Sequence, residues 1–183
     1  MKEFYGQKED TGFNPQSPYA IAKLSAHHAT ELYRNSYGIF ACSGILFNHE
    51  GPRRGDNFVT KKITNYIKSL KNGNKEKLKL GNLEAFRDWS HAKDMVRSMW
   101  LMLQQDKSDT YCVGSGQSHS VKDFLHVAFS LSGLDYRDYV EIDESLKRPS
   151  EVPFLRCSSR KARDKLGWIP EYSFIDLVKD MLK

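Results

Sequence analysis

The sequence predicts an α/β fold with a parallel sheet, on three observations. A capped helix that starts at Ser17 runs directly into a nearly continuous apolar stretch, Ile39 to Phe47. An apolar run of that length without alternation is the pattern of a strand covered on both faces. A polar, basic, turn-rich loop follows from Asn48 to Asn57, and helical and strand patterns then alternate along the rest of the chain.

The chain has 183 residues, which suits one domain with a real core. Hydrophobic residues make up 39% and charged residues 28%, an ordinary balance for a water-soluble protein. A net charge of +5 favours an anionic ligand without naming it. The basic residues are scattered and follow no recognition-module pattern, so a nucleic-acid partner is not expected. No apolar run reaches membrane-spanning length, and the first five residues lack a signal-peptide core, so a cytoplasmic, membrane-free protein is expected. Cys42, Cys112 and Cys157 are odd in number and far apart. They fit small buried hydrophobes in a reducing compartment rather than a disulfide framework, and no metal site is expected.

Residues 1–15 read as a loop. Ser17 is a natural N-cap and Pro18 a natural first helical residue. Ile21, Leu24, Leu32 and Tyr33 supply the apolar positions of this helix, and Gly38 stops it. Tyr19 and Lys23 lie one turn apart on the same face. An ammonium beside a phenol favours the phenolate, so such a Tyr can take and return a hydroxyl proton. The spacing alone is equally that of an ordinary surface helix.

The loop 48–57 lies at the carboxyl end of the first strand, where open α/β sheets bind ligands. A second helix, from about Val59 to Leu70, places Ile63, Tyr66, Ile67 and Leu70 on one face. Leu78 to Leu80 reads as a short strand and residues 82–89 as a loop. A third helix runs from Ser90 or His91 to about Gln105, with Val96, Met99, Trp100 and Leu103 as its core stripe. Tyr111 to Val113 is a strand. Ser120 caps a helix with Asp123 at its third position and Phe124, Val127, Ala128 and Leu131 facing inward. Val140 to Ile142 and Phe154 to Cys157 read as strands around the loop 147–153. A basic helix spans residues 159–166, and Ser173 with Asp176 caps the last one, with Ile175, Leu177, Val178 and Leu182 as its apolar face.

Together these stretches resemble the GDP-mannose 4,6-dehydratase family of the extended short-chain dehydrogenase/reductases. The carrying residues are Glu3-Phe-Tyr-Gly6, Ser17 to Lys23, and Gly44-Ile-Leu-Phe-Asn-His-Glu50 with Pro52-Arg-Arg-Gly55. They continue with Phe58 to Ile63, Leu80-Gly-Asn82, Arg87-Asp-Trp89, His91-Ala-Lys-Asp94, Arg148-Pro-Ser-Glu151 and Lys165-Leu-Gly-Trp168. The resemblance is to the family's carboxyl-terminal part. It implies a partial Rossmann-like NAD(P)-binding fold with a small α/β substrate-binding domain. Residues 1–57 would hold the catalytic helix and a late sheet strand, and residues 58–183 mainly the sugar-nucleotide region.

By the same resemblance, the reaction removes water from GDP-mannose to give GDP-4-keto-6-deoxymannose, an early step towards GDP-fucose and related deoxyhexoses. NADP takes a hydride from sugar C4 and returns it at C6. Tyr19 exchanges the C4 hydroxyl proton, Lys23 assists it and holds the nicotinamide ribose, and Glu3 works on the C5 proton. Leu46, Phe47, His49, Glu50 and Arg54 match the nicotinamide-side contacts of the cofactor. Asn48, Val59, Lys62, Arg87, Arg148 and Glu151 match the GDP-sugar contacts.

Two departures from the family pattern stand out. Gly114-Ser115-Gly116 is the one Gly-x-Gly in the chain, and position 119 is His rather than Gly, so the dinucleotide fingerprint is absent. The family's catalytic Thr position is Met1. The expectation is therefore a truncated form with an incomplete NADP site and an open-edged sheet, inactive alone and needing a second copy or a separate amino-terminal half. A competing expectation is a non-catalytic GDP-sugar-binding remnant or subunit.

Overall fold

A computed structural model describes residues 6–147 and 151–183. The first helix, α1 (Pro18–Tyr37), starts and stops where its caps dictate. The Ser17 hydroxyl accepts the Ala20 N–H at 3.1 Å, and Gly38 closes the helix at φ 64°. Strand β1 (Ser43–Leu46) pairs in parallel with β6 (Thr110–Val113), Ser43 opposite Thr110 and Leu46 opposite Val113. The strand is thus shorter than the 39–47 run. Ile39 and Phe40 stay exposed, because β1 has a single ladder neighbour among the described residues and no layer over both faces. Among the described residues the other edge of β1 has no ladder partner, which is the open edge expected.

Three helices build the larger core. These are α2 (Val59–Lys71), α4 (Val121–Leu131) and α6 (Phe174–Leu182), packed on the parallel pair β3 (Leu78–Leu80) and β8 (Val140–Ile142). Ile63, Ile67, Phe124, Leu125, Phe129, Val178 and Met181 meet there with Trp89. Both α4 and α6 carry the reciprocal Ser–Asp capping boxes read from the sequence. Leu131 and Ile175, expected inside, are exposed at the helix ends, beyond the reach of neighbouring layers.

A smaller core joins β1 and β6 to α3 (Ala92–Met102) and α5 (Arg160–Leu166). Met95, Met102, Tyr111, Val113, Leu166 and Trp168 fill it, with Cys42 and Leu46 at its edge. Here the expected stripe of α3 is overturned. Val96, Met99, Trp100 and Leu103 all face solvent, Trp100 at 60% exposure. The inward face is set by the fully buried Asp94, whose carboxylate accepts the N–H groups of Glu171 (3.0 Å) and Tyr172 (3.2 Å). Its backbone carbonyl accepts the Trp168 indole N–H at 2.9 Å. A buried carboxylate must keep its donors, and that requirement outweighs a stripe of apolar side chains that has nothing to cover it.

The apolar positions of α1 are also not core: the helix buries no residue. Polar contacts dock it instead. Arg34 donates to the carbonyls of Ala41 (2.7 Å) and Asp109 (3.1 Å), and His27 meets the Ser43 hydroxyl at 2.8 Å.

Four two-residue strands escaped the sequence reading. The pair β2 (His49–Glu50) and β5 (Ser90–His91) is parallel, and β4 (Phe86–Arg87) and β7 (His119–Ser120) antiparallel. Two residues carry no periodicity to read. Conversely, Phe154 to Cys157 is not a strand but makes isolated bridges at its two ends, Phe86 to Phe154 and Gln7 to Cys157. Cys112 and Cys157 are buried, Cys42 is half-buried, and all three are free thiols. Burial pushes the Cys112 thiol up to about 12. No helix among the described residues is long and apolar enough to cross a membrane.

Candidate active site

The cap at Ser17 places Tyr19 in the first turn of α1 and Lys23 one turn on. Both side chains are exposed, Tyr19 at 74%. Lys62 on α2 is exposed, and Val59, the first residue of that helix, is half-buried. Glu3 and Arg148 lie outside the described residues.

The loop after β1 is built largely from its own side chains. The Phe47 N–H donates to the Val113 carbonyl (2.9 Å), and the Asn48 carbonyl accepts the Ser90 N–H (2.9 Å), so the chain crosses from one ladder to the next. His49 Nδ1 lies 2.9 Å from the Phe47 carbonyl. Glu50 is buried and accepts the Thr60 hydroxyl at 2.7 Å. Arg54 Nε approaches the same carboxylate oxygen to 3.1 Å as an ion pair, without the alignment of a hydrogen bond. The Arg54 guanidinium also covers the Phe58 ring at 3.4 Å. Burial raises the Glu50 carboxyl above its ordinary value, against the opposing pull of Thr60 and Arg54. Glu50 and Arg54 thus brace the loop against α2, while Leu46, Phe47, Asn48 and His49 stay half-buried along it.

A second cluster gathers residues far apart in sequence. Arg87 Nη2 lies 3.2 Å from Glu151 Oε1, and the Asn82 amide donates to Glu151 Oε2 at 2.9 Å. Beside it opens a cavity of about 400 Å³ whose lining includes Asn82, Lys122, Tyr136, Arg137 and Lys147. The cations on its rim have acidic neighbours in Glu84, Asp135 and Glu144. Arg87 and Glu151, singled out from the sequence, are therefore brought together. Asn82, read only as part of the Leu80-Gly-Asn82 motif, and the cavity were not read as site features, because only the fold sets that amide beside Glu151.

Asp88 was also missed as a key residue. Fully buried, it accepts the N–H groups of Ser115 (2.8 Å), Gly116 (2.9 Å) and Cys157 (2.9 Å), and the Ser115 hydroxyl (2.6 Å). A Cβ on Gly114 would sit 2.5 Å from the Cys157 Cβ, so glycine is needed for close approach. The chain's Gly-x-Gly is thus a structural turn tied to a carboxylate. Its signal was the Arg-Asp-Trp order, a polar residue inside an otherwise buried turn.

Among solved structures, the fold matches RMD from Pseudomonas aeruginosa, solved with NADPH, at a TM-score of 0.85 and 24% identity over 95% of this chain and 58% of that one. It matches DesIV, a dTDP-glucose 4,6-dehydratase of Streptomyces venezuelae solved with NAD and TYD, at 0.83 and 22%, over 98% and 56%. At these identities the likeness is one of fold: the α/β architecture is shared with both solved structures. A family profile described as GDP-mannose 4,6 dehydratase matches residues 2–181. GDP-mannose 4,6 dehydratase 2 of Arabidopsis thaliana is 53% identical over 176 residues, 96% of this chain and 47% of that protein. The chain belongs to the GDP-mannose 4,6 dehydratase family. It spans about half the length of the curated relatives it matches.

Proposed function

We propose that this chain binds GDP-mannose and carries part of the machinery for its dehydration to GDP-4-keto-6-deoxymannose, a lyase reaction. The observation that carries the reading is the Arg87–Glu151–Asn82 cluster beside its cavity. Within it a guanidinium suits a diphosphate, a carboxylate suits ribose hydroxyls, and an amide suits either. Lys62 and Arg148 add cations, and Asn48 and Val59 complete the sugar-nucleotide contacts.

The donors present fit the nicotinamide end of NADP. Tyr19 and Lys23 are exposed one turn apart, and an ammonium with a phenol suits a ribose diol beside a sugar hydroxyl. When bound, NADP supplies the acceptor for the hydride that leaves C4 and the donor that returns it at C6. Tyr19 holds and moves the C4 hydroxyl proton, and Lys23 keeps positive charge beside that oxygen. Glu3 takes the C5 proton, which the neighbouring ketone acidifies, while the C6 hydroxyl leaves, so that the two depart together as water. Half-buried Leu46, Phe47 and His49 would flank the nicotinamide, and Arg54 and Glu50 hold the loop that presents them.

A second reading is binding without turnover, in a subunit that relies on another chain for the rest of NADP. The structural use of Gly114-Ser115-Gly116 favours it, since the amides of Ser115 and Gly116 are spent on Asp88 and not free for a pyrophosphate. Calorimetric titration with GDP-mannose, followed by an assay for a 4-keto product with NADP, decides between them. Saturable binding that Arg87→Ala weakens is expected. Absence of GDP-mannose binding by a folded chain overturns both readings, and turnover by the chain alone overturns the second.

A further inference from the structure

We propose that His27, His28 and Glu31 form a binding site for one divalent transition-metal ion of the zinc type, on the outer part of α1. One ligand atom from each lies within 4.8 Å of the other two. His27 Nε2 is 3.5 Å from one Glu31 carboxylate oxygen, and His28 Nδ1 is 3.5 Å from the other. Ligands sharing a tetrahedral zinc at bond lengths near 2.1 Å sit roughly 3.4 Å apart, so an ion fits between them with little movement. Imidazole nitrogens with one carboxylate select zinc, nickel or copper over magnesium or calcium.

The surroundings of His27 are those of a metal ligand. Its Nδ1 is held by the Ser43 hydroxyl at 2.8 Å. With Nδ1–H donating there, the Nε2 lone pair is free and points at Glu31, the outer-shell arrangement that fixes a ligating imidazole. Phe13 packs against both rings, centroid to centroid 5.1 Å from His27 and 6.1 Å from His28. The His27 side chain is 12% exposed and that of His28 60%, so one ligand is anchored and the other is open to solvent. Three protein ligands leave a fourth position for water. Ordinary i,i+4 and i,i+3 pairing on a helix would account for each imidazole beside Glu31, but not for the hydroxyl that anchors the first from β1.

Tyr19, Lys23, His27 and Glu31 lie at intervals of four along one ridge of the helix. Eight residues separate Tyr19 from His27, about 12 Å along the axis, which keeps the ion away from chemistry at Tyr19. Its effect is mechanical. It would fasten a helix that buries no residue of its own to β1 through Ser43.

Metal-stripped full chain is titrated with zinc chloride by calorimetry and with cobalt(II) by visible absorption, alongside thermal melts. The expected result is one saturating ion per chain and a tetrahedral cobalt spectrum without a sulfur charge-transfer band, which excludes the cysteines. Zinc should raise the melting temperature. His28→Ala, at an exposed position, and Glu31→Gln should each lose the saturating site, and Ser43→Ala should bind about tenfold more weakly. Circular dichroism confirms that the variants are folded. No saturable binding, or unchanged binding in folded His28→Ala or Glu31→Gln, overturns the proposal.

Discussion

The Asp88 carboxylate accepts the Cys157 backbone N–H at 2.9 Å and so ties two loops that are 69 residues apart in sequence. The same side chain holds the turn at Ser115 and Gly116. Asp88→Ala leaves the buried Cys157 amide and the half-buried Ser115 and Gly116 amides without their acceptor. It should lower stability by about 3 kcal/mol or more, read from the shift of the urea midpoint at constant slope. A loss under about 1 kcal/mol would show that water replaces the carboxylate.

Glu50 makes the protein's stability depend on pH in the direction opposite to a paired surface acid. Its folded value is raised by burial above the ordinary 4.5. The unfolded chain therefore gives up the proton first, and this group's contribution to stability falls as pH rises from 4.5 through the folded value. Glu50→Gln removes that slope. The stability of the variant relative to the parent should rise with pH across this window, measured by urea unfolding at several pH values. A difference that is flat or that falls with pH refutes the assignment.

The two tryptophans of the α3 region offer a contrast. Trp168 is fully buried and bonded to the Asp94 carbonyl, whereas Trp100 is largely exposed. Trp168→Ala should cost about 3–5 kcal/mol. Trp100→Ala should stay within about 0.5 kcal/mol. Equal losses in thermal or urea unfolding would restore the face that the apolar pattern suggested.

Tyr19→Phe separates chemistry from folding. An exposed phenol with no core role should leave the melting curve within about 0.5 kcal/mol of the parent. GDP-mannose binding should persist. Turnover in a preparation that forms the 4-keto product should fall about 100-fold or more, as expected for loss of a proton-transfer group. Undiminished turnover removes Tyr19 from the mechanism.

Much of the secondary structure was legible because its signals are local. Ser17 with Pro18, Ser120 with Asp123, Ser173 with Asp176, and the glycine at 38 act within one turn of the chain and behave as their chemistry requires. The family is legible for a similar reason, since its motifs are runs of neighbouring residues. The faces of α1 and α3 were not. An apolar stripe shows which side can be buried, but burial needs a layer to cover it, and over the outer sides of α1 and α3 the described residues provide none.

The sequence by itself determined where most helices begin, the family, and Tyr19 with Lys23 as neighbours on one helix. Tertiary structure alone decided that Asp94 rather than Trp100 orients α3, and that Glu50 turns inward to Thr60 and Arg54. It also set Asn82 beside Glu151 and the hydroxyl of Ser43 behind His27. Caps and helical spacing act over a few residues. The partners of a buried carboxylate or an anchored imidazole are chosen by long-range packing, where an unmet hydrogen bond costs more than a misplaced apolar side chain at the surface.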